Sequence, residues 1–220
     1  MAQAVSIEVR LPDRSRRAPS MGARRKPVAE VSVVLDDGTR MDVVVPVRAG
    51  RVLKDADAPL PCEVDDAFDY IHALEGRVCL QMLTEMLGRR DHSSEEAREK
   101  LRGYGFRDQE IDASISRARA LRFLDDRRFA AYFIEERKRR GWGRRRIELE
   151  LARKGVDVDG IEGYPEAFFS DEDDLERARA LLDRRSVPED RAFEKLTRFL
   201  MGKGFPYATA SSAVRERLGG

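Results

Sequence analysis

From Asp65 to the end of the chain, apolar side chains recur at intervals of three and four residues, the spacing that gathers them on one face of a helix. From Val28 to Val47 they instead alternate every second residue, which predicts strands. Val31, Val33 and Leu35 alternate, Asp37-Gly38 supplies a tight turn, and Met41, Val43 and Val45 alternate again, so a β-hairpin is expected. Val34 and Val44 on its other face make it partly two-sided. Such a hairpin is marginal alone and should be covered by the first helices or by a partner.

Residues 1–27 hold seven Arg or Lys against two acids, with Pro12, Pro19 and Pro27, and read as a mobile basic arm. Nucleic acid or another anion would suit such an arm, and a solubilising tail would suit it equally well. The stretch from Arg48 to Val64, with Pro59 and Pro61, reads as a linker.

The helical part contains one spacing three times. Leu101-Arg-Gly-Tyr-Gly105-Phe106, Leu151-Ala-Arg-Lys-Gly155-Val156 and Leu200-Met-Gly-Lys-Gly204-Phe205 each have the order of a closing helix, with Gly at the left-handed position and an apolar residue folding back on the leucine. Ala97, Ile147 and Leu196 stand one turn earlier in the three copies, and Leu83, Phe133 and Leu182 match on the preceding helix. Three copies of one unit follow, each a helix, a turn, a second helix ending in Gly-apolar and a shorter third helix. Units this small cannot bury both faces alone and should stack in a row.

The fold class expected is therefore mainly α: tandem three-helix-bundle repeats in an elongated curved array, with a small N-terminal β-hairpin. Its division is a mobile arm at 1–27, hairpin and linker at 28–64, and helical repeats at 65–123, 124–169 and 170–220. Local signals place the ends. A break is expected near Gly76. Ser93-Ser-Glu-Glu96 forms a capping box, Asp108 should cap the third helix, and Leu124-Asp125-Asp126 should open the second unit. Ser170 and Ser186 read as further caps, with Pro206 in the first turn of the last helix. Gly160, Gly163 and Pro165 should leave the third helix of the second unit short or kinked.

Composition narrows the function classes. Charged residues make up 38% of the chain at a formal net charge of +1, so positive charge acts through local patches and not as a uniform coat. With two cysteines, Cys62 and Cys79, there is neither zinc-type spacing nor a disulfide framework, and a reducing cytoplasm is expected. Apolar runs fall short of the ~18 residues a membrane span needs, and Arg16-Arg17 is not followed by the apolar core of an export signal. The glycines end helices and do not link a strand to a phosphate-binding helix. His72 and His92 lack metal-type partners, and Asp125-Asp126 is explained by capping, so no catalytic residue, metal or cofactor is expected.

Positive charge is densest between Arg137 and Arg146, where seven of ten residues are Arg or Lys and the other three are Gly141, Trp142 and Gly143. The two glycines should interrupt a helix and expose the ring and the guanidinium groups at a turn. Beyond Arg144 the chain re-enters a helix with Ile147 and Leu151 on one face and Arg145, Arg146, Leu149 and Arg153 on the other. That stripe suits phosphates or an acidic protein surface, with Leu149 as a small apolar anchor. A solvated helix whose Leu149 packs on a neighbour is the plainer reading.

The second unit, through Leu124-Asp125-Asp126-Arg127-Arg128-Phe129-Ala130, Phe133-Ile134, Arg137, Gly141 to Gly143, Arg146-Ile147, Leu151 and Lys154-Gly155-Val156, resembles the core motif of the RecX family, bacterial regulators of the RecA recombinase. His92-Ser93 and Glu96 extend the similarity, which runs from about residue 68 to the end and is looser in the third unit. The resemblance implies a monomeric, non-enzymatic, cytoplasmic protein of three tandem three-helix repeats that binds the RecA filament and its DNA, single-stranded first and duplex second. It implies lowered ATP hydrolysis, strand exchange and co-protease activity, and with them control of DNA repair, recombination and the SOS response. Carried onto this chain, the filament or DNA contacts are Arg137, Lys138, Arg139, Arg140, Arg144, Arg145, Arg146, Arg153 and Lys154, with Trp142 and Leu149 among them. Ala192, standing where the other units have Ser93 and Gly143, departs from the pattern at the second-to-third unit junction. A free-standing DNA-binding regulator with helix-turn-helix-like modules is the main alternative, and a scaffold without a nucleic acid partner is another.

Overall fold

A computed structural model describes residues 2–13 and 27–219. Two compact units divide the chain, residues 1–124 and 125–220. The first opens with strand β1 (Gln3–Arg10), followed by β2 (Val28–Leu35) and β3 (Arg40–Pro46), helix α1 (Val47–Lys54) and the short β4 (Cys62–Glu63). These strands form one antiparallel sheet in the order β3-β2-β1-β4, where two strands were expected. The β2-β3 pair is the expected hairpin, turning at Gly38 with φ 85°.

Residues 3–10, assigned to a mobile arm, are instead strand β1, with Val9 opposite Val31 and Ile7 opposite Val33. Their apolar alternation outweighs the charge around them once β2 supplies hydrogen bonds. The arm's remaining basic residues at 14–26 lie outside the described residues. The linker reading at 48–64 is likewise corrected, since α1 lays Ala49, Gly50 and Leu53 on the sheet. Gly50 is required there, because a Cβ would stand 2.5 Å from that of Ala29.

Helices α2 (Val64–Leu87), α3 (Ser94–Gly103) and α4 (Asp108–Ala120) complete this unit and share one core with the sheet. No break occurs at Gly76: α2 runs unbroken because buried residues on both sides of it, from Ile71 to Leu83, hold the helix against the cost of about 1 kcal/mol for an interior glycine. Ser93 caps α3 by accepting from Glu96 N at 3.1 Å. Asp108 does not cap α4; it is the first helical residue, and Arg102 Nε donates to it at 2.6 Å.

The second compact unit holds α5 (Asp126–Arg139), α6 (Arg144–Arg153), α7 (Asp171–Asp183), α8 (Ala192–Lys203) and α9 (Tyr207–Leu218), around two cores. Asp125 and Ser170 cap α5 and α7. Ser186 caps nothing: α8 begins at Ala192, behind Arg191 with φ 45°. Between α6 and α7 there is no third α-helix, short or kinked. Residues 157–169 run as turns, and Ile161 and Phe169 fill the core in the helix's place, because Gly160, Gly163 and Pro165 deny it a continuous hydrogen-bond ladder.

The three repeated helix ends form as the spacing predicts. Gly105, Gly155 and Gly204 have positive φ, and Phe106, Val156 and Phe205 donate back to Leu101, Leu151 and Leu200 at 3.3, 3.0 and 3.2 Å. Their side chains are all buried, as are those at the two earlier matched positions in each copy.

Candidate nucleoprotein interface

The turn at Gly141 to Gly143 interrupts two helices, as expected, but it is packed and not splayed into solvent. At the end of α5, Gly141 has φ 76° and Trp142 N donates to Arg137 O at 3.0 Å, a fourth closure of the same kind. A Cβ on Gly141 would press on Leu181 Cδ2 at 2.8 Å. The Trp142 carbonyl accepts from Arg177 Nη1 at 2.8 Å.

Helix α6 starts at a disadvantage, with no side-chain cap and three arginines in its first turn, next to the positive end of the helix dipole. The end of α8 corrects both. Lys203 O accepts from Gly143 N at 2.9 Å, and Gly204 O accepts from Arg145 N at 3.1 Å. Carbonyls with no partner at one helix end thus meet amides with no partner at another. Only two glycines permit this approach: a Cβ on Gly143 would stand 2.5 Å from Gly204 O, and one on Gly204 would stand 2.6 Å from Arg146 N. Across the second-to-third repeat junction, where Ala192 broke the repeat, the tie is this interlock.

Around the turn, cations and aromatic rings alternate. Lys154 Nζ lies 5.7 Å from the Phe133 ring centre, Arg137 lies 4.6 Å from Phe133 and 4.9 Å from Trp142, and Arg146 lies 3.9 Å from Trp142. Each such contact contributes about 0.5–2 kcal/mol. The stack holds Trp142 half-buried, where exposure had been expected.

Eight of the eleven sequence-nominated residues, the cations other than Lys154, sort into three groups. Arg137 and Lys138 are largely interior, 19% and 14% exposed at the side chain, and Lys138 is bound to Glu135 and to the Phe168 carbonyl. Arg140 and Arg153 are exposed and Arg144 is partly buried, and each has an acid close by in sequence, Glu136, Glu150 and Glu148 respectively. The Glu148 hydrogen bond holds the Arg144 guanidinium still more firmly protonated, while burial and the same carboxylate push the Tyr164 phenol up. Arg139, Arg145 and Arg146 have no acidic partner among the described residues. Leu149 is 54% exposed and lies one turn from both Arg145 and Arg153.

Sequence reasoning missed the supports. Arg177, which no sequence signal singled out, bonds Trp142 O, and Gly204, read only as a helix end, caps α6. Neither contact leaves a local signal, since each spans more than thirty residues.

Among the described residues, metal-ligand chemistry converges at His72, Glu75 and Glu110. Arg107 already sits there, donating to Glu110 Oε2 at 3.0 Å and to His72 Nε2 at 3.0 Å, while its backbone N donates to Glu75 Oε1 at 3.4 Å. An ion pair network fills the place a metal would take. Burial, and then Glu110, push the Glu75 carboxyl up to about 7. None of the described helices is long and apolar enough to cross a membrane.

A family model described as RecX, second three-helix domain, matches residues 125–162. The regulatory protein RecX of Thermus thermophilus is 36% identical over 141 residues, covering 64% of this chain and 92% of that protein. That of Caldanaerobacter subterraneus subsp. tengcongensis is 26% identical over 145 residues, covering 66% and 73%. In fold, the chain is similar to crystal structures of RecX from Lactobacillus salivarius (TM-score 0.56, 20% identity, 64% of this chain and 95% of that one) and of a second regulatory protein RecX (TM-score 0.57, 18% identity, 95% and 97%).

Proposed function

The chain belongs to the RecX family, regulatory proteins and not enzymes, and from that we propose that it binds the RecA filament on DNA and limits the filament's ATP hydrolysis, strand exchange and co-protease activity. One observation carries this reading: the outer face of α6 presents Arg145 and Leu149 to solvent beside Arg146, which is half-buried against Trp142, and neither arginine has an acidic partner among the described residues. The Arg146 guanidinium, held by stacking on Trp142, loses little freedom on meeting phosphate or carboxylate, so more of the contact energy remains as affinity.

Under this reading the protein acts in the cytoplasm as a monomer, and it tempers recombination, repair and the SOS response. The rival, a free-standing duplex-binding regulator, fits the site less well. A recognition helix leads into the major groove with its N-terminal residues, and the α6 N-terminus is covered by Lys203 and Gly204.

The test is a titration of full-length protein against RecA hydrolysing ATP on single-stranded DNA. Suppression at substoichiometric amounts is expected. Full ATP turnover at equimolar protein, or tight sequence-selective duplex binding without RecA, would overturn the reading.

A further inference from the structure

Away from the α6 face, the end of α5 and one side of α7 enclose an open groove of about 650 Å³. Asp173, Glu176, Ala180 and Arg184 lie along one exposed face of α7, three or four residues apart, and span about 16 Å at the helical rise of ~1.5 Å per residue. The groove therefore runs from an acidic end, past Ala180 and the half-buried Leu181, to a basic end. Arg139 of α5 also lines the groove.

The groove's charges divide in two. Lys138, Arg140 and Arg177 are each tied to an acid, namely Glu135, Glu136 and Asp174. Asp173, Glu176, Arg139 and Arg184 make no close ion pair among the described residues, although Arg179 feels the charge of Glu176. A phosphate backbone brought into this groove would meet two carboxylates outside any close ion pair as well as two guanidinium groups. Like charges in close approach cost several kcal/mol, so nucleic acid is a poor occupant. A protein segment bearing both signs is a good one.

Resting on the reading above, we propose that this groove docks the protein component of the filament. The occupant is a segment of RecA with a basic side chain, then an apolar one, then an acidic one, set against Asp173/Glu176, Ala180/Leu181 and Arg184 in turn, with Arg139 supplying further positive charge to the lining. DNA phosphate is left to the α6 face. The protein thereby holds its target by two surfaces of different chemistry, and it tells a filament from bare DNA through the mixed-charge groove.

The test uses the full chain with Arg184→Glu, and separately with Glu176→Lys, each checked for wild-type circular dichroism and melting. Fluorescence anisotropy measures binding to RecA filaments on single-stranded DNA and to the same DNA bare. Both variants should lose at least about tenfold in filament affinity and keep wild-type affinity for bare DNA. Unchanged filament affinity, while the wild type still binds filaments, would overturn the groove alone. A parallel loss on bare DNA would make the groove a nucleic-acid contact and overturn it too. Failure of the wild type to bind filaments at all would overturn the reading on which it rests.

Discussion

Changing Gly143 to Ala adds one methyl group at the interlock of the second and third repeats. Gly143 has φ −83°, which alanine adopts freely, so backbone strain does not enter. The new Cβ would stand 2.5 Å from Gly204 O and equally deep in the Phe205 amide, and all of these are backbone atoms that no rotamer change can withdraw. The α6 and α8 ends must separate, at an overpacking cost of about 1–3 kcal/mol. Separation also stretches the two hydrogen bonds from Gly143 N and Arg145 N, worth roughly 1 kcal/mol each. A loss of about 3–5 kcal/mol is expected for the second compact unit. Gly202→Ala is the control: it lies in α8 with nothing within 4 Å of an added Cβ, so it should stabilise by about 0.5–1 kcal/mol. Urea unfolding followed by the fluorescence of Trp142, the single tryptophan, reads this unit directly. A Gly143→Ala midpoint equal to or above wild type would refute the interlock.

Arg145→Glu should leave stability unchanged or raise it by about 0.3–1 kcal/mol, because an acid replaces a base in the first turn of α6, yet it should weaken filament binding; loss of both together would mean Arg145 is structural. Leu149→Ala should shift stability by less than about 0.5 kcal/mol and still reduce filament affinity, so a strong fall in melting temperature would show the leucine packed inside. The Glu75 carboxyl, raised to about 7, keeps a proton in the folded protein that the unfolded chain has already lost above its ordinary 4.5; its contribution is full at low pH and disappears as pH rises through 7. Calorimetry of the first unit should therefore show the wild type gaining roughly 1 kcal/mol relative to Glu75→Gln between pH 8 and pH 6.5. His92, driven down to about 4 by burial, has the opposite sign and begins to act near pH 6.5, and because both chains carry it the comparison cancels it.

What the sequence made legible was what local chemistry controls. The Gly-apolar endings at Gly105, Gly155 and Gly204 specify their own hydrogen bonds within six residues, and all three form as the spacing predicts. The β2-β3 hairpin announced itself through Asp37-Gly38. Strand β1 did not, although Val5, Ile7 and Val9 alternate, because its partner lies across the basic segment and only non-local pairing with β2 makes it a strand. In the candidate site, composition located the charge and periodicity found the exposure of Leu149. Which arginines are spent internally depended on contacts with distant residues: Arg177 on Trp142 O, Lys138 on Phe168 O, and Gly204 on α6. No spacing rule carries that information.

The most direct measurement of the central claim is co-sedimentation of the full chain with RecA filaments on single-stranded DNA, beside the Arg145→Glu, Arg146→Glu double variant. The wild type should pellet with the filaments and the variant should stay in the supernatant. A variant that pellets as completely as the wild type would contradict the assignment of filament binding to the outer face of α6.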